Sequence, residues 1–161
     1  MIVTQLNAND YQDYLLIVGD PTVGEFDEEF PKSEDAARED FNQSICGYSP
    51  LSDPKGWKEH GIRNLEGTLI GLTSYRLMYE SGLSVIKARV GIHLHKPWRG
   101  KGYASHALAA LLILLKESTG TNVIEAVIDQ DNHSSRRLFE RAGFKKIGLI
   151  GGDDWFCLEK F

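Results

Sequence analysis

Arg99-Gly100-Lys101-Gly102-Tyr103-Ala104 stands where a strand hands over to a helix. Ahead of it, Val85 to His95 alternates with period two; behind it, Ser105 to Leu115 is an apolar helical run. A basic, Gly-rich turn at such a junction suits a phosphate. Its glycines admit close approach of the backbone, the first helical N–H groups lack intrahelical partners, and the helix dipole adds partial positive charge. A plain tight connection would use the same glycines, so spacing has to decide.

Spacing excludes two common phosphate loops. A P-loop needs Ser or Thr after Gly100-Lys101, where Gly102 stands, and Gly at the position of His95. A dinucleotide fingerprint needs a third Gly or Ala where Ser105 stands, and an acid closing the next strand. Glu125 sits inside that strand and Asp129 lies beyond it. Neither loop fits.

The pattern Arg/Gln-x-x-Gly-x-Gly/Ala does fit, through Arg99, Gly102 and Ala104. A second block, Asn132-His133-Ser134-Ser135-Arg136-Arg137-Leu138-Phe139-Glu140-Arg141-Ala142-Gly143-Phe144, reads as Asn-x-x-Ser-x-x-Leu-x-Glu-x-x-Gly-Phe. The two blocks, in this order and joined by a helix and a strand, resemble the GNAT superfamily of N-acetyltransferases over roughly Thr68 to the C-terminus. The wording is closest to the ribosomal-protein N-terminal acetyltransferase branch. That resemblance implies acetyl-CoA as co-substrate and a primary amine as acceptor.

Composition sets the outer bounds. With 161 residues, 42% of them hydrophobic, the chain is expected to be one domain over residues 1–161. A net charge of −5 argues against a nucleic-acid surface and is compatible with a cationic amine partner. Cys46 and Cys157 form no CxxC or metal spacing and read as buried small hydrophobes, so no metal is expected. The longest apolar run, Ala107 to Leu115, is too short to cross a bilayer. Met1-Ile2-Val3-Thr4-Gln5 lacks the basic and apolar regions of a signal peptide, so a cytoplasmic protein without a membrane partner is expected.

Element by element, strands are expected at Ile2–Leu6, Trp57–Arg63, Thr68–Tyr79, Val85–His95, Val123–Ile128, Lys145–Ile150 and Trp155–Lys160. Helices are expected at Tyr11–Val18 capped by Asn9-Asp10, from Ser33 to Ile45, and at Ser105–Lys116 and Ser135–Ala142. Asn64-Leu65-Glu66-Gly67 and Glu80-Ser81-Gly82 read as turns, and the stretch from Gly47 to Gly56, with Pro50 and Pro54, as an irregular loop. Hairpins first and a βαβα unit last make an α/β (α+β) fold, a mixed, mostly antiparallel sheet with helices on both faces. This is also the GNAT order of elements. The C-terminal strand could pair two copies into a homodimer.

Along the strand before the loop, Ile86, Ala88, Val90, Ile92 and Leu94 alternate with Lys87, Arg89, Gly91, His93 and His95. One face is core; the other could line a cleft. By resemblance, the backbone of His93, Leu94 and His95 would receive the pantetheine arm, with an N–H near Leu94 facing the thioester carbonyl. Gly100, Lys101, Gly102, Tyr103, Ala104 and Ser105 would form the phosphate turn, with Arg99 and Lys101 flanking it or merely solvated. Asn132, Ser135 and Phe139 complete the expected cofactor set. Asn132 would reach the pantetheine, or cap its helix, a role open to Ser134 and Ser135 as well.

Catalytic groups are less plainly written. Many relatives carry Tyr where Phe139 stands, to protonate the leaving thiolate, and often Glu where Arg89 stands, as base. His93, His95 and Glu125 remain as base candidates; an imidazole at position 93 suits a proton acceptor in a cleft, and Glu125 could orient a water or pair with Arg89 or His93. His93 and His95 share a face but lack a third metal ligand. A non-catalytic acyl-CoA-binding module on the same fold is the competing reading. The acceptor wall is expected between Gly19 and Trp57, where Glu25, Asp27, Glu28, Glu29, Glu34 and Asp35 either attract a cation or complement a helix N-terminus.

Overall fold

The computed structural model describes residues 2–23, 25–26, 31, 33–46, 56–79 and 86–159. The expected loop after Gly47, the turn at Glu80-Ser81-Gly82, Val85, Lys160 and the acids Asp27, Glu28 and Glu29 lie outside the described residues. Seven strands form one sheet: β1 (Ile2–Thr4), β2 (Trp57–Arg63), β3 (Leu69–Tyr79), β4 (Ile86–Leu94), β5 (Val123–Ile128), β6 (Lys145–Ile150) and β7 (Asp153–Glu159). Their order is β1-β2-β3-β4-β5-β7-β6, antiparallel throughout except for β4 with β5. The mixed, mostly antiparallel sheet expected from the sequence is present.

The helices are α1 (Tyr11–Val18), α2 (Glu34–Ile45), α3 (Tyr103–Thr119) and α4 (His133–Arg141). Ser33 caps α2 by accepting from the Ala36 N–H at 3.2 Å. The expected cap on α1 is displaced. Asn7 and Asp10 instead form a capping box around the one-turn helix Ala8–Asp10, and the buried Asp10 accepts from the half-buried Arg63 guanidinium at 2.6 Å. Asp10 therefore serves tertiary pairing, and β1 stops at Thr4 because the chain turns into that box. The last turn is only Gly151-Gly152, with φ of +60° and +104°, so β7 begins at Asp153 rather than Trp155.

Two cores lie on opposite faces. Leu108, Leu111 and Leu115 make a buried stripe on α3, which packs with Leu138 and Phe139 of α4 against Ala88, Val90, Ile124, Ala126 and Ile128, while Ala107 packs with Ile62, Ile70 and Leu94. Tyr14, Ile17, Ala37 and Phe41 of α1 and α2 pack against Leu72. Leu72 pairs with His93 while Tyr75 pairs with Val90, so α1 and α2 cover the face of the odd β4 residues. The alternation in β4 sorted the faces correctly. Cys157 is buried as expected, whereas Cys46 is exposed, since it caps the C-terminal end of α2 beyond the buried Ala37 and Phe41.

The functional geometry begins where pairing stops. β4 stays paired with β3 as far as Leu94, and β5 with β7 as far as Ile128. Yet β4 and β5 pair only at Lys87–Val123, Ala88–Ile124 and Arg89–Glu125. Beyond that point the strands part into a V. Its closed end is fastened by the buried Glu125 carboxylate, 3.5 Å from Arg89 Nη2 and 3.9 Å from Lys87 Nζ.

Close packing beside the V rests on Gly71. A Cβ there would collide with the His93 carbonyl oxygen and come within 2.6 Å of Leu94 Cδ2. Gly71→Ala should therefore cost about 1–3 kcal/mol, the usual penalty for overpacking. At about 2–4 °C per kcal/mol for a chain of this size, the loss is readable in a melting curve. An unchanged melting temperature would show that the β3–β4 spacing does not depend on this glycine.

Candidate active site

The turn between β4 and α3 has the conformation its glycines suggest. Gly100 and Gly102 take φ of +74° and +84°, a region costly for residues with a Cβ. Gly102 occupies the N-cap position, so no side chain covers the first N–H groups of α3, and its first turn holds no acid. Those donors face outward with the dipole behind them. Lys101 Nζ sits 5.2 Å over the Trp98 ring, and Trp98 meets Tyr103 edge-on at 5.6 Å, so both aromatics brace the turn from beside it.

Arg99 is exposed, yet its guanidinium is tied to the backbone rather than free. Its Nε donates to the Leu94 carbonyl at 2.9 Å and its Nη2 to the Thr22 carbonyl at 3.1 Å. Asp20 completes this strap, accepting from Thr22 N–H and hydroxyl and from the Lys96 N–H. The Thr22 hydrogen bonds hold its carboxyl below the usual range, so the strap stays anionic at neutral pH.

The V exposes backbone as well as side chains. The His95 N–H donates to the Ile70 carbonyl, and the His93 carbonyl abuts Gly71, so odd β4 residues spend their main-chain groups on β3. Even residues consequently aim theirs toward β5. Past Arg89, β5 no longer answers, which leaves the main chain of Val90, Ile92 and Leu94 along one wall of the V. Arg99 takes up the Leu94 carbonyl.

A cleft of about 1450 Å³ runs through the V. His93, Leu94, Arg99, Gly100, Gly102, Tyr103, Ala104, Ser105, Asn132, Ser135 and Phe139 of the expected set line it. Three expected residues do not. His95 turns to Asp20, 4.0 Å away; Lys101 rests on Trp98; and Glu125 is committed to Arg89 and Lys87 below the parting point. Asn132 caps α4, accepting from the Ser135 N–H at 3.1 Å, so neither Ser134 nor Ser135 takes that role. Phe139 is buried edge-on to Phe144 at 5.0 Å. Among the described residues no group of His, Cys, Asp or Glu is placed to hold a metal ion, and no helix is long and apolar enough to cross a membrane.

Sequence reasoning missed Glu59. It lies on β2 opposite Ser74 of β3, which lies opposite Gly91 of β4, all on the face of His93. The Tyr14 hydroxyl (3.4 Å) and the Ser44 hydroxyl (3.0 Å) both donate to its Oε2, and its side chain lines the cleft. Burial, aided by the Asp40 charge, pushes this carboxyl above the ordinary range, although Ser44, His93 and Tyr14 oppose the rise. No spacing motif links residues 14, 44, 59 and 93; only the strand register and the helix packing assemble them.

The strap makes a stability prediction. Arg99→Ala removes two hydrogen bonds from a charged donor and should cost about 1–3 kcal/mol in denaturant unfolding. Arg99→Lys should recover little, since one ammonium cannot reproduce the fork that spans both carbonyls. Full recovery by lysine would mean that charge alone matters there.

Residues 1–145 match the family model described as acetyltransferase (GNAT) domain. A curated relative, the uncharacterized N-acetyltransferase YycN of Bacillus subtilis, is 37% identical over 57 residues, which span 35% of this chain and only 36% of that protein. A GNAT-family acetyltransferase from Bacillus anthracis superposes with a TM-score of 0.73 at 20% identity, covering 97% of this chain and 90% of its own. The spermidine N-acetyltransferase of Vibrio cholerae, solved with CoA and spermine, gives 0.73 at 19% identity over 98% and 92%. With the family model spanning most of its length, the chain belongs to the acetyltransferase (GNAT) domain family.

Proposed function

We propose that the chain is an acetyl-CoA-dependent N-acetyltransferase that transfers the acetyl group directly to a primary amine, with residues 1–161 forming the one domain. The observation that carries this reading is the V between β4 and β5, whose cleft also reaches the uncovered N-terminus of α3. The pyrophosphate would lie on the backbone of Gly100 to Ser105. The pantetheine would add to the open edge of β4 like a strand, and the Asn132 amide would meet it from the β5 side. An N–H at Leu94 or Ile92 would then polarise the thioester carbonyl, a contribution typically worth about 10²–10³ in rate.

Acetyl transfer needs a neutral amine and a leaving thiolate. An ordinary thiol has a pKa near 8.5, so the thiolate departs without strong acid assistance, and Phe139 in place of a tyrosine is tolerable. Glu125, fixed between two cations away from the cleft, serves the sheet rather than the reaction. The mixed acidic and basic cleft wall suits an amine acceptor without selecting one. The branch that the loop and α4 wording resembles would make that acceptor a peptide N-terminus.

Acetyl-CoA consumption across a panel of amines and N-terminal peptides tests the activity. Binding without turnover on every amine would favour the non-catalytic module. Gly102→Val should abolish CoA binding in calorimetry, since a branched residue at φ +84° strains the turn and its methyls would crowd the His106 ring, 3.9 Å from the Cβ position, at the N-terminus of α3. Unchanged CoA affinity in a folded variant would sink the phosphate-loop assignment. Phe139→Tyr should leave kcat within a small factor of the parent. A rise of a hundredfold or more would mean that acid assistance limits the reaction.

A further inference from the structure

Resting on that reading, we propose that Glu59 binds the acceptor's ammonium group and takes its proton. Four features of the structure support this. Glu59 lines the cleft on the face of His93, beside the stretch of β4 that borders the V. It reaches that face from β2, two strands away, and its oxygen is held by hydroxyls from two different helices, Tyr14 on α1 and Ser44 on α2. Tyr14 is fully buried and its pKa is driven upward by burial and by the Glu59 charge, so it remains a donor at every working pH. Finally, the carboxyl sits where its charged form is disfavoured, and an arriving cation relieves that cost.

The step balances without any further reagent. The ammonium passes one proton to the Glu59 carboxylate and becomes a neutral amine. The nitrogen lone pair forms the C–N bond at the thioester carbonyl, whose π pair moves to oxygen beside the β4 N–H groups. Collapse breaks the C–S bond, and the second nitrogen proton goes to the departing thiolate. Glu59 returns its proton to solvent. The net products are the acetamide, CoA thiol and one proton.

The groups around Glu59 make the proposal testable by sign. Facing it are Tyr14 on α1, Asp40 and Ser44 on α2, and His93 on β4; Arg76 of β3 shares the face, with its guanidinium 5.6 Å over the Trp57 ring. The Asp40 charge raises the Glu59 pKa and the Ser44 hydrogen bond lowers it. In a profile of kcat/KM for the amine against pH, the acidic limb belongs to Glu59. Asp40→Asn should move that limb to lower pH and Ser44→Ala should move it to higher pH. A residue of purely structural importance would yield no such opposed pair.

Glu59→Gln keeps the shape and can still accept from both hydroxyls. It should lower kcat/KM at neutral pH by about 10²–10⁴ and leave the Kd for CoA unchanged. The deficit should then shrink as pH rises, because the free amine becomes abundant without help. Because the carboxyl's folded pKa is raised, its contribution to stability is present at low pH and lost as pH rises through that value. The glutamine variant should thus melt no lower than the parent at pH 7. A parental rate profile in Glu59→Gln would overturn the proposal, as would limb shifts of the same sign in the other two variants. Should Glu59→Gln fail to fold, Asp40→Asn and Ser44→Ala decide alone. A parent protein that never acetylates an amine would instead refute the activity on which this step rests.

Discussion

The shape of the cleft depends on where β4 lets go of β5. Up to Arg89 and Glu125 the parallel ladder is closed and doubly ion-paired; after them it is open. An open ladder inside a sheet is costly, since main-chain donors and acceptors need partners. The fold offsets that cost on the outer sides of the V. β3 holds β4 to its last residue, β7 holds β5 to its last residue, and Arg99 claims the Leu94 carbonyl. What is left over on the inner sides is a pair of strand edges, ready for an extended ligand to complete.

The same parting explains why a two-sided cleft exists in so small a protein. α3 and α4 seal one face and α1 with α2 the other, so a ligand lying flat on the sheet would meet a packed helix. Passing between strands, it can enter beside the N-terminus of α3 and present its end to the opposite face, where His93 and Glu59 stand. The strap of Asp20, Thr22 and Arg99 ties the segment after α1 to the end of β4. The segment after α1 and the end of β4 are thereby held in one register by two side chains, Arg99 and Asp20, acting on backbone groups.

The fold was largely legible in the sequence, and the reasons are local. Alternation over Ile86–Leu94 marked both faces of the central strand, the apolar run after Tyr103 marked α3, and the glycines of 100 to 102 marked the turn. Errors at element ends have local causes too: Asn7 and Asp10 were spent on a one-turn helix and on Arg63, and α3 begins two residues early because Gly102 itself supplies the left-handed N-cap. The site was legible only where it is built from neighbours in sequence. Arg99 reads as a cation beside the phosphate turn or merely solvated, and its hydrogen bond to the Thr22 carbonyl comes from a segment 77 residues away. Glu125 reads as a base or as a partner of Arg89, and the structure shows it beside both Arg89 and Lys87 of the adjacent strand. Neither contact is written in the local sequence.

That distinction bears on how the chemistry is distributed. On β4 the position facing the closed end of the V is Arg89, a cation, and it is neutralised by Glu125 rather than by anything in the cleft. A carboxylate at position 89 would face the Glu125 charge across the ladder, and two like charges at that separation would push one of them to protonate. With an arginine there, β4 and β5 gain a clamp and lose a base. Glu59, a carboxylate that lines the cleft, stands on β2 and is held by hydroxyls from α1 and α2. Any shift of α1 or α2 therefore moves Tyr14 or Ser44 and with it the proton affinity of Glu59. In the proposed step, acceptor choice and proton transfer would be coupled through that one oxygen.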